Sequence, residues 1–205
     1  MAEAPHFDVD YLIVGSGFGG SVSALLGALA AGLGTMVANL SAHKRGWDGR
    51  WEEFSDWAVK GQALKDELIR LVDADTDAFN LVMAALAMPT GTPEEKTARS
   101  AALVAANLGA IDVPFRVMRA ASVTLPLISA MATHGNPASA SDAGVGALCA
   151  RSAVLGAWLN VRTNVAGLKD KGAVDALVAD GARIAAEAVT METEIRTIVE
   201  AKIGG

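Results

Sequence analysis

GGSVSALLGALAAGLGTMVANLSAHKR, residues 19–45, is the stretch that decides the fold. It belongs to a longer run, residues 11–42, that carries no charged side chain and is rich in Gly, Ala and Ser. Gly27, Ala31 and Thr35 recur at a spacing that lets two helices approach closely. The run is poor in large apolar residues, and the glycines at its start would interrupt a membrane span. We therefore expect a buried central helix.

The segment before this helix carries a different pattern. Residues 9–22 read VDYLIVGSGFGGSV, an apolar run followed by three glycines in GxGxxG spacing. It resembles the N-terminus of FAD-dependent oxidoreductases of the glucose-methanol-choline and cholesterol oxidase kind, in which residues 11–14 would be a strand. Such a site needs a second strand that ends in an acid, and the candidate, residues 35–40, meets no acid before Asp48. FAD is therefore not expected, and a flavin-binding oxidoreductase module stays as an alternative.

Apolar residues at helical spacing continue through the rest of the chain. They predict a helix over residues 51–86, after which Thr92, Pro93 and Glu95 form a helix start with a capping box. Further helices are expected over residues 93–108, 113–133, 141–159 and 172–203. Between these segments, Gly109 is expected to end a helix and Pro126 to kink one. The fold class predicted is all-α: a bundle of about six helices with a buried small-residue-rich helix and a short strand-like or irregular N-terminal segment.

Composition limits the class of protein further. The chain has 205 residues, 52% of them hydrophobic, so one compact domain with a substantial core is expected. We divide it into an atypical lead-in, residues 1–18, and a helical domain, residues 19–205. The net charge of −6 and the absence of a basic cluster argue against nucleic acid and anionic membranes as partners. Cys149 alone gives no disulfide framework, and the N-terminus has no basic leader, so a cytoplasmic location is expected.

Acidic residues alternate in the second helix. Asp73, Asp75 and Asp77 recur at every second position, but the glycine and distal glutamate of a calcium loop are missing, so no metal site is predicted. Asp73 and Asp77 share one face, which is typical of a solvated surface. Asp75 has apolar neighbours at turn spacing. We expect it to face inward, where burial raises the pKa of a carboxyl.

Two further polar groups stand out. Asn136 and Asp142 flank a turn at a helix start, where Ser141 and Asp142 can cap the helix. Asn160 and Asn164 lie one turn apart on an otherwise apolar helix. Side-chain amides on such a face need hydrogen-bond partners, which can be a ligand or neighbouring backbone.

Three segments together resemble one family. They are GGSVSALLGALAAGLGTMVANLSAHKRGWD (19–48), LVDADTDAFNLVMAALAMPTGTPEEKTAR (71–99) and GNPASASDAGVGALCARSAVLGAWLNVRTNVAGLKD (135–170). From Gly19 onward the chain resembles the cyclodeaminase/cyclohydrolase family of folate enzymes, and SAHKRGWD is most similar to its cyclodeaminase branch. The resemblance implies an all-α fold, homodimers or higher homo-oligomers, and no metal or redox cofactor. The lead-in before Gly19 departs from the family pattern.

The function that the resemblance implies is that of a formiminotetrahydrofolate cyclodeaminase. Such an enzyme converts 5-formiminotetrahydrofolate into 5,10-methenyltetrahydrofolate and ammonia, a step of histidine degradation and one-carbon metabolism. Methenyltetrahydrofolate cyclohydrolase activity is the first alternative, and an assembly protein that has lost the site is another. The expected partners are a tetrahydrofolate derivative with a polyglutamate tail, a second copy of the chain and a formiminotransferase, with no nucleic acid and no membrane.

Site roles follow from the resemblance and from the chemistry. Asp75 and Asp142 are the predicted catalytic carboxylates, one to donate a proton and one to stabilise the cationic product. Lys44 and Arg45 are predicted to bind the glutamate tail. The other predicted substrate-binding residues are Gly19, Gly20, Ser21, Asn39, Asn136 and Asn164.

Overall fold

The fold is a bundle of long helices. The computed structural model describes residues 19–166, 168, 172 and 174–204. Its five α-helices are α1 (Gly19–Ala42), α2 (Trp51–Leu86), α3 (Pro93–His134), α4 (Ala140–Ala166) and α5 (Asp175–Ile203), with short 3-10 turns at Asp48–Arg50 and Pro137–Ser139. The prediction of an all-α fold is confirmed. The predicted strand at residues 11–14 and the lead-in lie outside the described residues.

α1 is the centre of the bundle and packs against α2, α3 and α4. Its small residues make this possible: a Cβ at Gly27 would lie 2.9 Å from Leu68 Cδ2, and one at Gly34 would lie 2.9 Å from Leu127 Cδ2. The leucines of neighbouring helices occupy the space that a side chain would need. The candidate strand over residues 35–40 is wrong, because this segment continues α1 and packs its small face into the core.

The burial expected for α1 holds for one face of the helix. Thirteen of its residues, mostly Ala and Gly, are buried. Large apolar residues on the opposite face remain between 38% and 52% exposed. These exposed residues are Val22, Leu25, Leu29, Met36 and Leu40. α1 therefore has an unpartnered apolar face as well as a packed one.

α3 is a single helix of 42 residues where two were predicted. The break expected at Gly109 is absent, since a mid-helix glycine costs only about 1 kcal/mol and packing outweighs that cost. Pro126 also lies inside the helix. The start is as predicted: the Thr92 hydroxyl accepts from Glu95 N at 3.2 Å, and Glu95 Oε2 accepts from Thr92 N at 2.9 Å.

Pro114 explains one polar contact between α3 and α4. Proline has no N–H, so the carbonyl of Ala110, four residues earlier, loses its helical donor. Asn164 Nδ2 donates to that carbonyl oxygen at 2.6 Å. Ala110 is buried, and an unpaired carbonyl there would cost about 1–3 kcal/mol. Asn164 therefore restores the hydrogen bond that Pro114 removes.

The start of α4 differs from the prediction in detail. A 3-10 turn, Pro137–Ser139, leads directly into the helix at Ala140. Asp142 consequently lies in the first turn and not at the cap. It is Asn136 that caps the 3-10 turn, since its side chain accepts from Ala138 N at 3.3 Å. Ser141 and Asp142 are too far into the helix to take that position.

α5 is joined to α4 by a buried ion-pair network. Glu192 is fully buried, and its carboxylate accepts from Arg196 Nε at 2.8 Å and from Arg151 Nη1 at 3.3 Å. A buried carboxylate needs such partners, because removing one partner leaves an uncompensated charge at a cost of about 3–5 kcal/mol. The network fixes the register between the two helices.

Three helical segments are long and apolar enough to cross a membrane by length and composition. They are Gly19–Ala42, Pro93–His134 and Pro137–Ala166. Between 44% and 56% of each apolar window is buried inside the bundle. Much of their apolar character is thus used in packing against other helices of the chain.

Candidate functional site

The predicted residues at the start of α1 meet Asp75 of α2. Ser21 Oγ donates to Asp75 Oδ2 at 3.0 Å. Gly20 is buried beneath the same carboxylate, and a Cβ there would lie 2.5 Å from Asp75 Cγ. Only glycine allows the carboxylate to approach the helix this closely. Asp75 thus lies at the positive end of the α1 dipole, where an anion is stabilised.

The environment of Asp75 acts on its pKa in two directions. Burial raises the pKa of the Asp75 carboxyl above its ordinary value of 3.8, and this is the largest effect. Hydrogen bonds from the hydroxyl and backbone N–H of Ser21 act against it. The net direction is upward. The inward orientation expected for Asp75 is therefore found, with a carboxyl that takes up a proton more readily than one in water.

Asn160 of α4 completes this end of the helix. A Cβ at Gly19 would lie 3.1 Å from Asn160 Nδ2, so the side-chain amide covers the first residue of α1. Asn160 also donates to the Gly156 carbonyl at 3.0 Å, and its oxygen remains directed to the same region. The sequence marked Asn160 as an amide that needs partners but did not place it among the substrate-binding residues. Its contact with Gly19 brings it into the candidate site.

Asn164 lies one turn further along α4. Its Nδ2 is used in the hydrogen bond to the Ala110 carbonyl described above. This contact gives Asn164 a structural task beside its predicted part in substrate binding.

The other end of α1 contains a second group of predicted residues. Lys44 Nζ donates to Asn136 Oδ1 at 3.2 Å and lies 4.4 Å from the centroid of the Trp47 ring. Asn136 N donates to Ser41 Oγ at 2.8 Å, which ties the turn before α4 to the last turn of α1. A half-buried cation is thus held in place beside an amide.

Three predicted residues accompany this second group. Asn39 and Arg45 are exposed, near the C-terminal end of α1 and just after it. Asp142 is half-buried in the first turn of α4. α4 runs antiparallel to α1, since Gly146 lies against Ala30 and Gly156 against Ser23. The beginning of α4 therefore lies at the same end as Lys44.

The predicted site residues consequently form two groups, which we call the Asp75 group and the Lys44 group. The Asp75 group contains Gly19, Gly20, Ser21, Asp75, Asn160 and Asn164. The Lys44 group contains Asn39, Lys44, Arg45, Asn136 and Asp142. α1 has 24 residues, so the groups are roughly 36 Å apart along its axis at 1.5 Å per residue. One chain does not bring the two predicted carboxylates together.

Other candidate features carry less. Asp73 and Asp77 are exposed, as expected for a solvated face. Partial burial raises the pKa of the Cys149 thiol, which disfavours the thiolate that a nucleophile requires. Across the described residues, no three His, Cys, Asp or Glu side chains are grouped so that they could hold a metal ion.

Two apolar grooves lie between α2 and α3. Their volumes are about 410 and 350 Å³. The first is lined by Trp57, Lys60, Ala63, Leu64, Val123, Pro126 and Leu127, and the second by Leu81, Ala84, Ala85, Met88, Ala102, Ala105 and Ala106. None of the predicted site residues lines either groove, so the grooves do not change the assignment of the site.

Comparison with known proteins defines the class. A family model described as formiminotransferase-cyclodeaminase matches residues 17–182. The chain is 32% identical over 185 residues to a methenyltetrahydrofolate cyclohydrolase of Methylorubrum extorquens, with 90% of this chain and 89% of that protein covered. The chain therefore belongs to the formiminotransferase-cyclodeaminase family, and its relatives process folates.

Other relatives are longer proteins. A formimidoyltransferase-cyclodeaminase of Gallus gallus is 35% identical over 153 residues, which are 75% of this chain but 28% of that protein. The fold is shared with the crystal structure of formiminotetrahydrofolate cyclodeaminase from Thermotoga maritima. The TM-score is 0.71 at 24% identity, with 91% of this chain and 87% of that chain covered. The chain thus matches a stand-alone relative over nearly its full length and about a quarter of the bifunctional ones.

Proposed function

We propose that the chain is a formiminotetrahydrofolate cyclodeaminase, and that Asp75 is the acid of the reaction. The observation that carries this proposal is the half-buried carboxyl of Asp75, with its raised pKa, held against the start of α1 by Ser21. An acid whose pKa moves toward neutrality is suited to donate a proton at physiological pH. Family membership supplies the substrate class, a reduced folate with a one-carbon unit at N5.

The reaction forms one bond and breaks another. N10 of the folate attacks the formimino carbon, and the bond from that carbon to the formimino nitrogen breaks as ammonia leaves. Ammonia gains two hydrogens: one proton comes from N10 and the second from the Asp75 carboxyl. The product is the 5,10-methenyl cation. Because the attack is intramolecular, holding N10 near the carbon supplies much of the rate, and no metal or redox cofactor is called for.

Other residues of the site bind and orient the substrate in this proposal. The amide of Asn160 and the hydroxyl of Ser21 lie beside Asp75 and can hydrogen-bond the amidine or the pterin. Lys44 and Arg45 hold the glutamate tail by charge. The Asp142 carboxylate stabilises the product cation.

Methenyltetrahydrofolate cyclohydrolase is the second candidate, and one observation favours it. The relative with that name is matched over nearly the whole length of both chains. The reaction acts on the same carbon between N5 and N10, with water as the nucleophile. A carboxyl between its acid and base forms can serve either direction of proton transfer.

One set of assays on the purified chain tests both candidates. With 5-formiminotetrahydrofolate, we expect release of ammonia together with a rise in methenyl absorbance, without added metal or flavin. With 5,10-methenyltetrahydrofolate, loss of absorbance faster than in buffer would identify cyclohydrolase activity. If neither reaction is detected while the chain binds folate in calorimetry, the catalytic proposal is wrong. A yellow flavin spectrum would instead favour the oxidoreductase alternative.

A further inference from the structure

The outer face of α1 carries large apolar residues in a regular pattern. Val22, Leu25, Leu29, Gly32 and Met36 recur at alternating intervals of three and four residues. This is the heptad spacing of a helix that packs along another helix. The large members of the set are all exposed. The face is therefore organised for a helical partner that the single chain does not supply.

α4 extends the same surface. Val145, Leu148 and Leu159 are 50%, 45% and 61% exposed, and Leu155 is partly buried between them. Their spacing follows the same heptad rule, and α4 lies antiparallel beside α1. No charged side chain interrupts α1 at all. We call the combined surface the α1/α4 face.

The size of this face fits a second copy of the chain. α1 is roughly 36 Å long, and two neighbouring helices packed about 10 Å apart present a face on the order of 700 Å². Stable protein interfaces bury about 800 Å² per partner. A lipid surface fits less well, because helices that lie on membranes carry Lys and Arg along their flanks. α1 carries none, and the chain has a net charge of −6.

The pattern also determines a direction for the pairing. If two α1 helices run antiparallel about a two-fold axis near Ala31, Val22 lies opposite Leu40 and Leu25 opposite Met36. Leu29 then lies opposite Gly32. A Cβ at Gly32 would have nothing within 4 Å, so this position is an open hollow in the single chain. A large residue facing a small one at the axis is what close packing of two helices needs.

From these observations we infer that two copies of the chain pair through their α1/α4 faces with the α1 helices antiparallel, and that each folate site combines the Asp75 group of one copy with the Lys44 group of the other. An antiparallel pair places the beginning of one α1 beside the end of the other. It thereby brings together two groups that are roughly 36 Å apart within one chain. The pairing stands on the apolar face alone, whereas the shared site rests on the proposed function.

Oligomeric mass tests the pairing. Sedimentation equilibrium of the full chain should give twice the 21.0 kDa of one copy. Leu29→Glu should shift the mass to that of a monomer, since it places a charge at the centre of the face. The matched control is Leu108→Glu on α3, a leucine of similar exposure outside the face, which should stay dimeric. A monomeric wild-type chain, or equal behaviour of the two variants, would overturn the inference.

Disulfide trapping tests the direction. In a Cys149→Ala background, the pair Val22→Cys and Leu40→Cys in one chain should form covalent dimers on oxidation. Val22→Cys alone should not. Efficient trapping by Val22→Cys alone would mean a parallel pair and would contradict the arrangement. Vesicle binding by a chain that stays monomeric would assign the face to lipid and would also overturn it.

Complementation tests the shared site separately. Asp75→Asn and Asp142→Asn are each expected to be impaired. Mixed dimers of the two variants contain one site with both lesions and one intact site, so activity should rise well above that of either variant alone, toward a quarter of wild type for random mixing. No recovery would overturn the shared site. A chain without folate turnover in any form would instead reject the proposed function, while the mass and trapping results would still decide the pairing.

Discussion

The two ends of α1 are built by opposite means. The helix itself has no acidic residue in its first turn and no basic residue in its last turn. At its beginning, the complementary charge comes from another helix, as the half-buried carboxylate of Asp75. At its end, it comes from the next residues of the chain, as the Lys44 ammonium beside Asn136. Both charges suit the helix dipole, but only the first is desolvated enough to change its acidity.

This difference separates chemistry from binding. A carboxyl with a raised pKa, beside a hydroxyl and an amide, is suited to proton transfer. A cation at a polar surface is suited to hold an anionic tail, and its effect is weakened by salt. The comparison therefore predicts losses of turnover at the Asp75 group and losses of affinity at the Lys44 group.

The largest effect is expected for Asp75→Asn. The amide keeps the shape of the side chain but cannot donate the carboxyl proton, so kcat should fall about 100-fold or more. The control is Asp77→Asn, which removes an exposed carboxylate from the same helix and should retain activity. Steady-state kinetics and melting temperatures measure both. Full activity of Asp75→Asn would remove this residue from the reaction and leave Asp142 as the carboxylate to test.

Gly20→Ala tests how closely the carboxylate must approach α1. The new methyl group would collide with Asp75, whose carboxylate must then move. We expect a destabilisation of about 1–3 kcal/mol, the usual cost of overpacking, together with a loss of activity. Gly109→Ala is the matched control, because its Cβ meets nothing within 4 Å and should stabilise α3 slightly. Urea denaturation of both variants decides, and equal stability changes would contradict the close approach.

Asn164 supports the Asp75 group through the backbone of α3. Asn164→Ala should cost about 1–3 kcal/mol, since the buried Ala110 carbonyl loses its donor. Pro114→Ala supplies a backbone N–H to the same carbonyl. In that background the cost of Asn164→Ala should be much smaller, and a double-mutant cycle measures the difference. Additive stability changes would show that the amide does not replace the hydrogen bond missing at Pro114.

Much of the fold follows from the sequence because helices have local signals. The bounds of α2 and the capping box at Thr92 follow from apolar spacing and capping chemistry. The break predicted at Gly109 fails for a tertiary reason: packing along the whole length of α3 outweighs a weak local preference. The task of Asn164 is tertiary as well, because it depends on a proline about 50 residues earlier.

The site was less accessible to sequence reasoning. Asp75 could be singled out because apolar neighbours at turn spacing indicate an inward carboxyl. That Asp75 and Asp142 lie at opposite ends of α1 could not be read from the sequence, since it depends on the antiparallel packing of α4 against α1. The contact of Asn160 with Gly19 has the same origin. Its sequence signal was the unexplained amide on an apolar helix.

A smaller effect is expected at the opposite end of α1. Lys44→Met removes the cation but keeps an unbranched apolar side chain, so KM for a polyglutamylated folate should rise a few-fold, a change of about 1 kcal/mol or less, with kcat unchanged. Lys60→Met is the matched control, because Lys60 also lies over a tryptophan ring, 4.8 Å from that of Trp57, and is outside both groups. The effect should shrink with a monoglutamate substrate and at high salt. A fall in kcat with KM unchanged would show that the separation of roles is wrong.

The smallest effect is a dependence of stability on pH that comes from Asp75 itself. Burial raises the pKa of this carboxyl in the folded chain above 3.8, so folding favours the protonated form. Its contribution to stability is therefore fully present below the unfolded pKa and is lost as the pH rises through the folded pKa. Urea denaturation from about pH 3 to about pH 8 should show wild type losing stability relative to Asp75→Asn over that interval, with the difference constant above it. Asp77→Asn provides the baseline of an exposed carboxylate. If wild type instead gains stability relative to Asp75→Asn as the pH rises, the hydrogen bonds from Ser21 outweigh burial, and Asp75 is an anchor for α1 and not a proton donor.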